Sequence, residues 1–518
     1  MATGRLSLAL AYLVLASAPS LAAPPLSRET QVNAIIARYA ASPPALRILL
    51  QPMPKGGDLH NHLDGSVYAE DYLKWASDDG FCVDKLTHAL TPPPCSAAQV
   101  EARDLVSRDP KFYQDTIDAL SMRNWYPGSG TGEATGHDHT FATFGRFGAV
   151  GARHLGDMLA ATRVTAAADH VQYIEQIADP GAAFAPELLN GDARFDPTDL
   201  EADLKRIAPL LPGLVARART EFDGAERTMQ DDLGWHTDMA SPGYRVRTHY
   251  LFFVLRTLPP QQVFAQIALG FALVKADPRF VGVNLVAPED DPVSLRDFGL
   301  QMRMFHFFKQ RDPEVKLSLH AGELALGLVP PIDLGFHIRD TVELAGASRI
   351  GHGYSIPYEN GAANLLADMA QRRIAVEINL TSNDITPGIR GTEHPLALYR
   401  AAHVPVTLSA DDEGVFRIDL THEYVRAVTE QHLSYLDLKE IARNGLEYSF
   451  LPGKSLWLQG DYRRTTPACA GVPPGAAVTP PACKAFLAGS EKAALQWDFE
   501  FEVAAYENYV IAGPLARR

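Results

Sequence analysis

The sequence predicts an α/β fold, a (β/α)8 barrel with a loop-rich insertion after its first strand, a helical excursion after its second and a C-terminal extension. Three observations lead there. Eight short apolar or β-branched runs recur along the chain, longer segments of helical periodicity separate them, and polar residues able to bind an ion cluster where several runs stop. Strand–helix–strand alternation gives parallel strands, and eight of them close into a barrel.

The runs are Gly57 to His62, Val171 to Ile177, His249 to Leu258, Phe280 to Val286, Val315 to His320, Arg349 to Ser355, Ala375 to Leu380 and Val404 to Ala410. Crossover helices are expected over Pro260 to Ala276, Ser294 to Arg311, Gly335 to Ala345, Asn360 to Arg372 and His394 to Ala402. Between the first two runs, residues 78–151 exceed what a crossover needs. They carry Gly128-Ser129-Gly130-Thr131-Gly132, the mark of a loop-rich insertion beside the barrel mouth. Residues 187–239, with a helix over Leu200 to Thr220, form the excursion after the second strand. The barrel domain thus spans 24–461, and 462–518 is an extension packed on it, ending in a helix-like stretch from Ser490 to Ile511.

Composition bounds the function. With 518 residues, 46% hydrophobic and 21% charged, the chain buries a large core. A net charge of −15, without a Lys/Arg-rich run, argues against nucleic-acid binding. Arg5, the mainly apolar run from Leu6 to Ala16 and the small residues up to Ala23 describe a cleavable signal peptide over 1–23, so the expected location is the periplasm or the cell exterior. No later stretch is long and apolar enough to span a membrane. The four cysteines form two local pairs, Cys82 with Cys95 and Cys469 with Cys483, each enclosing a Pro-rich loop. Two disulfides are expected, local pairing being the simplest of three connectivities, and the spacings are not those of a four-cysteine zinc site. Oligomeric state is open at this level.

The chemistry sits at the strand ends, where a barrel of this kind builds its active site. The first run ends in Asp58-Leu59-His60-Asn61-His62, and alternation along a strand points His60 and His62 to one face, spaced to chelate one ion. A second His-X-His, His137-Asp138-His139, lies in the insertion and reads as a solvated loop. The fifth run ends in His320-Ala321-Gly322-Glu323, and the eighth in Ser409-Ala410-Asp411-Asp412. A carboxylate buried at the mouth calls for a cation, and three imidazoles with one carboxylate suit zinc. Gly351-His352-Gly353 adds a fourth histidine at the same rim.

These segments, with Leu380-Thr381-Ser382-Asn383, resemble the adenosine deaminase family of metal-dependent amidohydrolases, in the family's order and across residues 52–450. The leader and the Cys-bearing additions are similar to the secreted, growth-factor-like branch, whereas the first-strand motif is nearer to ordinary adenosine deaminases. The resemblance implies one zinc per chain, bound by His60, His62, His320 and Asp411. It further implies that Glu323 protonates purine N1, that His352 orients the metal-bound hydroxide attacking C6, that Asp412 holds N7 and that Asp64 accepts from a ribose hydroxyl. His62 also borders the substrate, and Ser382 and Asn383 support the site. The implied substrate is a small purine nucleoside, adenosine or 2′-deoxyadenosine, giving inosine-type product and ammonia. Ala287 stands where relatives carry a Gly whose amide meets the purine, and its methyl and restricted φ put that contact in question. Residues 138–147 are a candidate lid. Rival readings are a deaminase of adenine, methylthioadenosine or AMP, a two-metal amidohydrolase, and a non-catalytic extracellular binding protein.

Overall fold

The computed structural model describes residues 27–126, 132–189, 195–235, 237 and 239–517. The expected signal peptide and most of the Gly-rich run fall outside the described residues.

The barrel strands are β1 (Gly56–His62), β2 (Val171–Ala178), β3 (Arg247–Leu255), β4 (Phe280–Val286), β5 (Lys316–Ala321), β6 (Arg349–His352), β7 (Ala375–Ile378) and β8 (Val406–Leu408). They form one eight-stranded sheet in sequence order, with every neighbouring pair parallel. Closure comes from a parallel bridge between Asn61 and Asp411, in which the Asp411 N–H donates to the His60 carbonyl (2.9 Å) and the His62 N–H to the Asp411 carbonyl (3.1 Å). The seam of the barrel is therefore the place where the candidate ligands of β1 and β8 meet. The expected α/β barrel is observed, and the sequence places all eight strands within a few residues.

Helices Pro260–Ala276, Pro292–Arg311 and Ala362–Arg372 follow the expected crossovers. Two expectations change. The helix read over Leu200 to Thr220 is two, Leu200–Ile207 and Leu211–Asp232, with Pro212 in the first turn of the second, where its missing N–H costs nothing. Gly335 to Ala345 resolves into a short helix, His337–Asp340, and a π-helical turn, Thr341–Ala345.

The insertion is less loop-rich than its composition suggests. Cys82–Asp84 pairs with Leu90–Thr91 and Gln99–Glu101 as a small antiparallel sheet, closed by the Cys82–Cys95 disulfide. A 16-residue helix, Gly136–Gly151, follows, its N-terminus capped by Thr135, whose hydroxyl accepts from the Asp138 N–H. The second disulfide, Cys469–Cys483, lies in an apolar cluster with Trp457 and Trp497. The terminal helix Glu491–Ala512 is held to helix Tyr435–Glu447 by Tyr435 Oη and Lys439 Nζ on Glu507 (3.0 and 2.8 Å) and by Arg443 on Glu500 (2.7 Å). Among the described residues, no helix is long and apolar enough to cross a membrane.

Candidate active site

At the C-terminal mouth of the barrel, one ligand atom from each of His60, His62, His320 and Asp411 lies within 4.8 Å of the others. Nε2 of His62 and Nε2 of His320 are 3.2 Å apart, and Asp411 Oδ1 lies 3.4 Å from Nε2 of both His60 and His62. Second partners aim these rings. His60 Nδ1 meets Glu377 Oε2 at 2.8 Å, and His320 Nδ1 meets Asn284 Oδ1 at 2.8 Å. Their outer nitrogens thus fixed, the Nε2 atoms converge on one point, the arrangement metal-binding imidazoles require. Nε2 of His60 is buried without any hydrogen-bond partner. Burial works against a charged His60, but Asp411 and Glu377 outweigh it and raise its pKa to about 10. The pocket asks for positive charge at that nitrogen, and three imidazoles with a carboxylate fit a divalent ion such as zinc.

The neighbouring acids carry shifts with different causes. Burial, with the charges of Asp411 and Glu289, pushes Glu323 up to about 8. Burial alone lifts Asp64 to about 6. Burial and the adjacent Asp411 push Asp412 well above its ordinary value, and its Oδ1 has no partner. Gly65 is required beside it, because a Cβ there would sit 1.8 Å from Asp412 Oδ1. His352 is driven down to about 3, chiefly by burial, and so stays neutral. Its Nε2 lies 3.6 Å from Glu323 Oε1 and 3.9 Å from Asp411 Oδ2.

These groups open into a cavity of about 390 Å³ that also touches Asp64, Ala287 and Ser382. The structure thus brings every sequence-derived site residue of the barrel to one mouth. Phe141, Phe144, Phe184, Phe253 and Phe416 supply much of the remaining wall, and among the described residues none that lines it is Lys or Arg. Three site residues, Ala287 (φ +79°), His352 (φ +63°) and Asp411 (φ +60°), adopt left-handed backbone just past or at the ends of their strands. Such strain in non-glycine residues gathers at functional sites, where the surroundings hold it in place.

The His137-Asp138-His139 motif is not a solvated loop. It occupies the first turn of Gly136–Gly151, where His139 is buried against the carbonyls of Asp118 and Ser121, and His137 Nε2 meets Asp290 Oδ1 at 3.0 Å. The same helix places Thr140, Phe141 and Phe144 on the cavity wall.

Several supporting residues escaped the sequence reading. Glu377 binds His60, Ser318 and Arg349 from within β7, and Arg349 also pairs with Glu175. Glu289 accepts from the main-chain N–H of Gly322 (3.2 Å) and Glu323 (2.7 Å) and contacts His337 (2.6 Å), so it fixes the backbone that carries Glu323. A charged residue inside an apolar strand, as in Ala375-Val376-Glu377-Ile378, was the available signal.

Residues 229–456 match the adenosine deaminase family. A 112-residue segment is 43% identical to the aminodeoxyfutalosine deaminase of Streptomyces coelicolor, covering 21% of this chain and 28% of that protein. A 147-residue segment is 34% identical to the adenosine deaminase of Shewanella loihica, covering 28% and 41%. The matched segments thus span less than half the length of these curated relatives. A crystal structure of an Arabidopsis N6-mAMP deaminase superposes with a TM-score of 0.51 at 18% identity, over 77% of this chain and 94% of that one, a likeness of fold alone.

Proposed function

We propose that this chain, which belongs to the adenosine deaminase family, hydrolyses the C6 amino group of adenosine and 2′-deoxyadenosine, releasing ammonia and an inosine-type product. The observation that carries the proposal is the meeting of four nitrogen and oxygen donors beside Glu323, a carboxyl group that burial pushes up to about 8. The donors His60, His62, His320 and Asp411 would hold one zinc ion, whose chemistry is to lower the pKa of a water to about 7.

The chain's own groups supply the rest. Glu323, protonated below about pH 8, donates to purine N1 as C6 is attacked, so that charge does not build on the ring. N7 can only accept, which requires a proton on Asp412, and the upward push on that carboxyl favours one there. Asp64, ionised at pH 7, accepts from a ribose hydroxyl. His352 orients the attacking oxygen, while the phenyl rings exclude bulk water and strengthen these interactions. Among the described residues, the cavity lining holds no Lys or Arg to meet a phosphate, which favours a nucleoside over a nucleotide. A second reading, another adenine derivative as substrate, draws support from the likeness to aminodeoxyfutalosine deaminase. The two disulfides, in turn, support export to an oxidising compartment.

The test is ultraviolet monitoring of adenosine conversion, with adenine and AMP in parallel, with and without a chelator and in Glu323→Gln. Near-total loss is expected on chelation and in the variant, with the metal retained in the latter. Undiminished turnover by either preparation would overturn the proposal.

A further inference from the structure

A chain of hydrogen bonds runs to His352 from a group that has only one possible role. The main-chain N–H of Leu396 can only donate, and it reaches Nδ1 of His394 at 3.1 Å. Nδ1 is therefore the acceptor, and a neutral His394 carries its proton on Nε2. Burial, aided by the Arg426 charge, pushes His394 down to about 3 and keeps it neutral. Nε2 then donates to Asn383 Oδ1 at 3.0 Å. This fixes the Asn383 amide, since the opposite orientation would set its NH2 against the His394 N–H donor. Asn383 Nδ2 donates in turn to His352 Nδ1 at 2.9 Å, and Asn379 Nδ2 approaches the same nitrogen at 3.4 Å. His394, Asn383 and His352 are 2%, 0% and 1% exposed, so no solvent proton interrupts the sequence.

We infer that His394 and Asn383 are positioning residues that hold His352 in the tautomer protonated on Nε2, so that His352 meets the reacting centre as a hydrogen-bond donor and not as a base. Nε2 is the nitrogen facing Glu323 and Asp411. The donor role rests on the deaminase reading above. The tautomer itself follows from the four bonded groups alone, because each link leaves the next a single choice. Neither His394 nor Asn383 lines the cavity, so both act through His352.

The experiment uses zinc-loaded, full-length protein with 15N-labelled histidine. The His352 resonances, assigned by their loss in His352→Gln, should show a protonated Nε2 and a bare Nδ1. Asn383→Asp replaces the amide donor with a group that can only accept, and it should move the proton to Nδ1. Its kcat for adenosine should fall by about 10⁴-fold with KM within about threefold, as a wrong tautomer does in a catalytic triad. As a second pair, His394→Phe removes the donor and His394→Gln restores an N–H, so the first should lose about tenfold in kcat, the size of one lost hydrogen bond, and the second should recover most of it. A proton found on Nδ1 in the wild-type protein overturns the inference, as does an Asn383→Asp protein with its metal in place and kcat unchanged. A wild-type protein that shows the Nε2–H signal but converts no adenosine defeats the deaminase reading and leaves the tautomer standing.

Discussion

Replacing Ala287 with glycine should stabilise the protein, although it deletes a side chain beside the active site. Ala287 stands at φ +79° directly before Pro288. An L-residue held there costs about 1–3 kcal/mol, and the following proline narrows its options further. Glycine relieves that cost but gains freedom in the unfolded chain worth about 0.4–1 kcal/mol. Ala287 lines the open cavity and is only partly buried, so loss of its methyl costs little packing. The net expectation is a gain of about 1 kcal/mol, which in a chain of this size raises the unfolding midpoint by about 1–3 °C. Ala287→Val is the opposing control, because a β-branched side chain fits positive φ still less well, and its midpoint should fall. The assay is thermal unfolding at fixed free zinc, since bound metal itself raises the midpoint. A lower midpoint for Ala287→Gly than for the wild type, or no loss in Ala287→Val, would refute the claim that this residue stores backbone strain.

Three further outcomes are expected. Glu377→Gln should weaken zinc binding by about 10–100-fold in a chelator competition, because Glu377 orients His60 through Nδ1, and an unchanged dissociation constant would remove it from that role. Glu323, raised from 4.5 to about 8, is active when protonated, so kcat/KM should hold steady below pH 8 and decline as pH rises through it; a profile flat to pH 10 would contradict its assignment as the acid. His137→Ala cuts the link between the helix bearing Phe141 and Phe144 and the loop bearing Ala287, so KM for adenosine should rise about fivefold, equivalent to about 1 kcal/mol, with kcat little changed. Equal loss in kcat would instead implicate the chemistry.

Much of this site can be read from the sequence because its determinants are local. A strand fixes alternation, so His60 and His62 had to share a face, and parallel strand ends had to bring His320, His352 and Asp411 to one mouth. The cysteine pairs were legible for a similar reason, each closing a short loop of its own. The His137 motif was misread because composition reports solvation only on average, whereas the Thr135 cap and the contact with Asp290, 153 residues away, turned an expected loop into a helix on the cavity. Local pattern determined which residues gather at the mouth. Tertiary structure alone decided which proton each one holds, because the burial that lifts Glu323 and Asp412, the Glu377 carboxylate behind His60 and the His394–Asn383 chain behind His352 join strands and loops remote in sequence. Desolvation and hydrogen-bond direction act through space, and the order of residues along the chain does not record them.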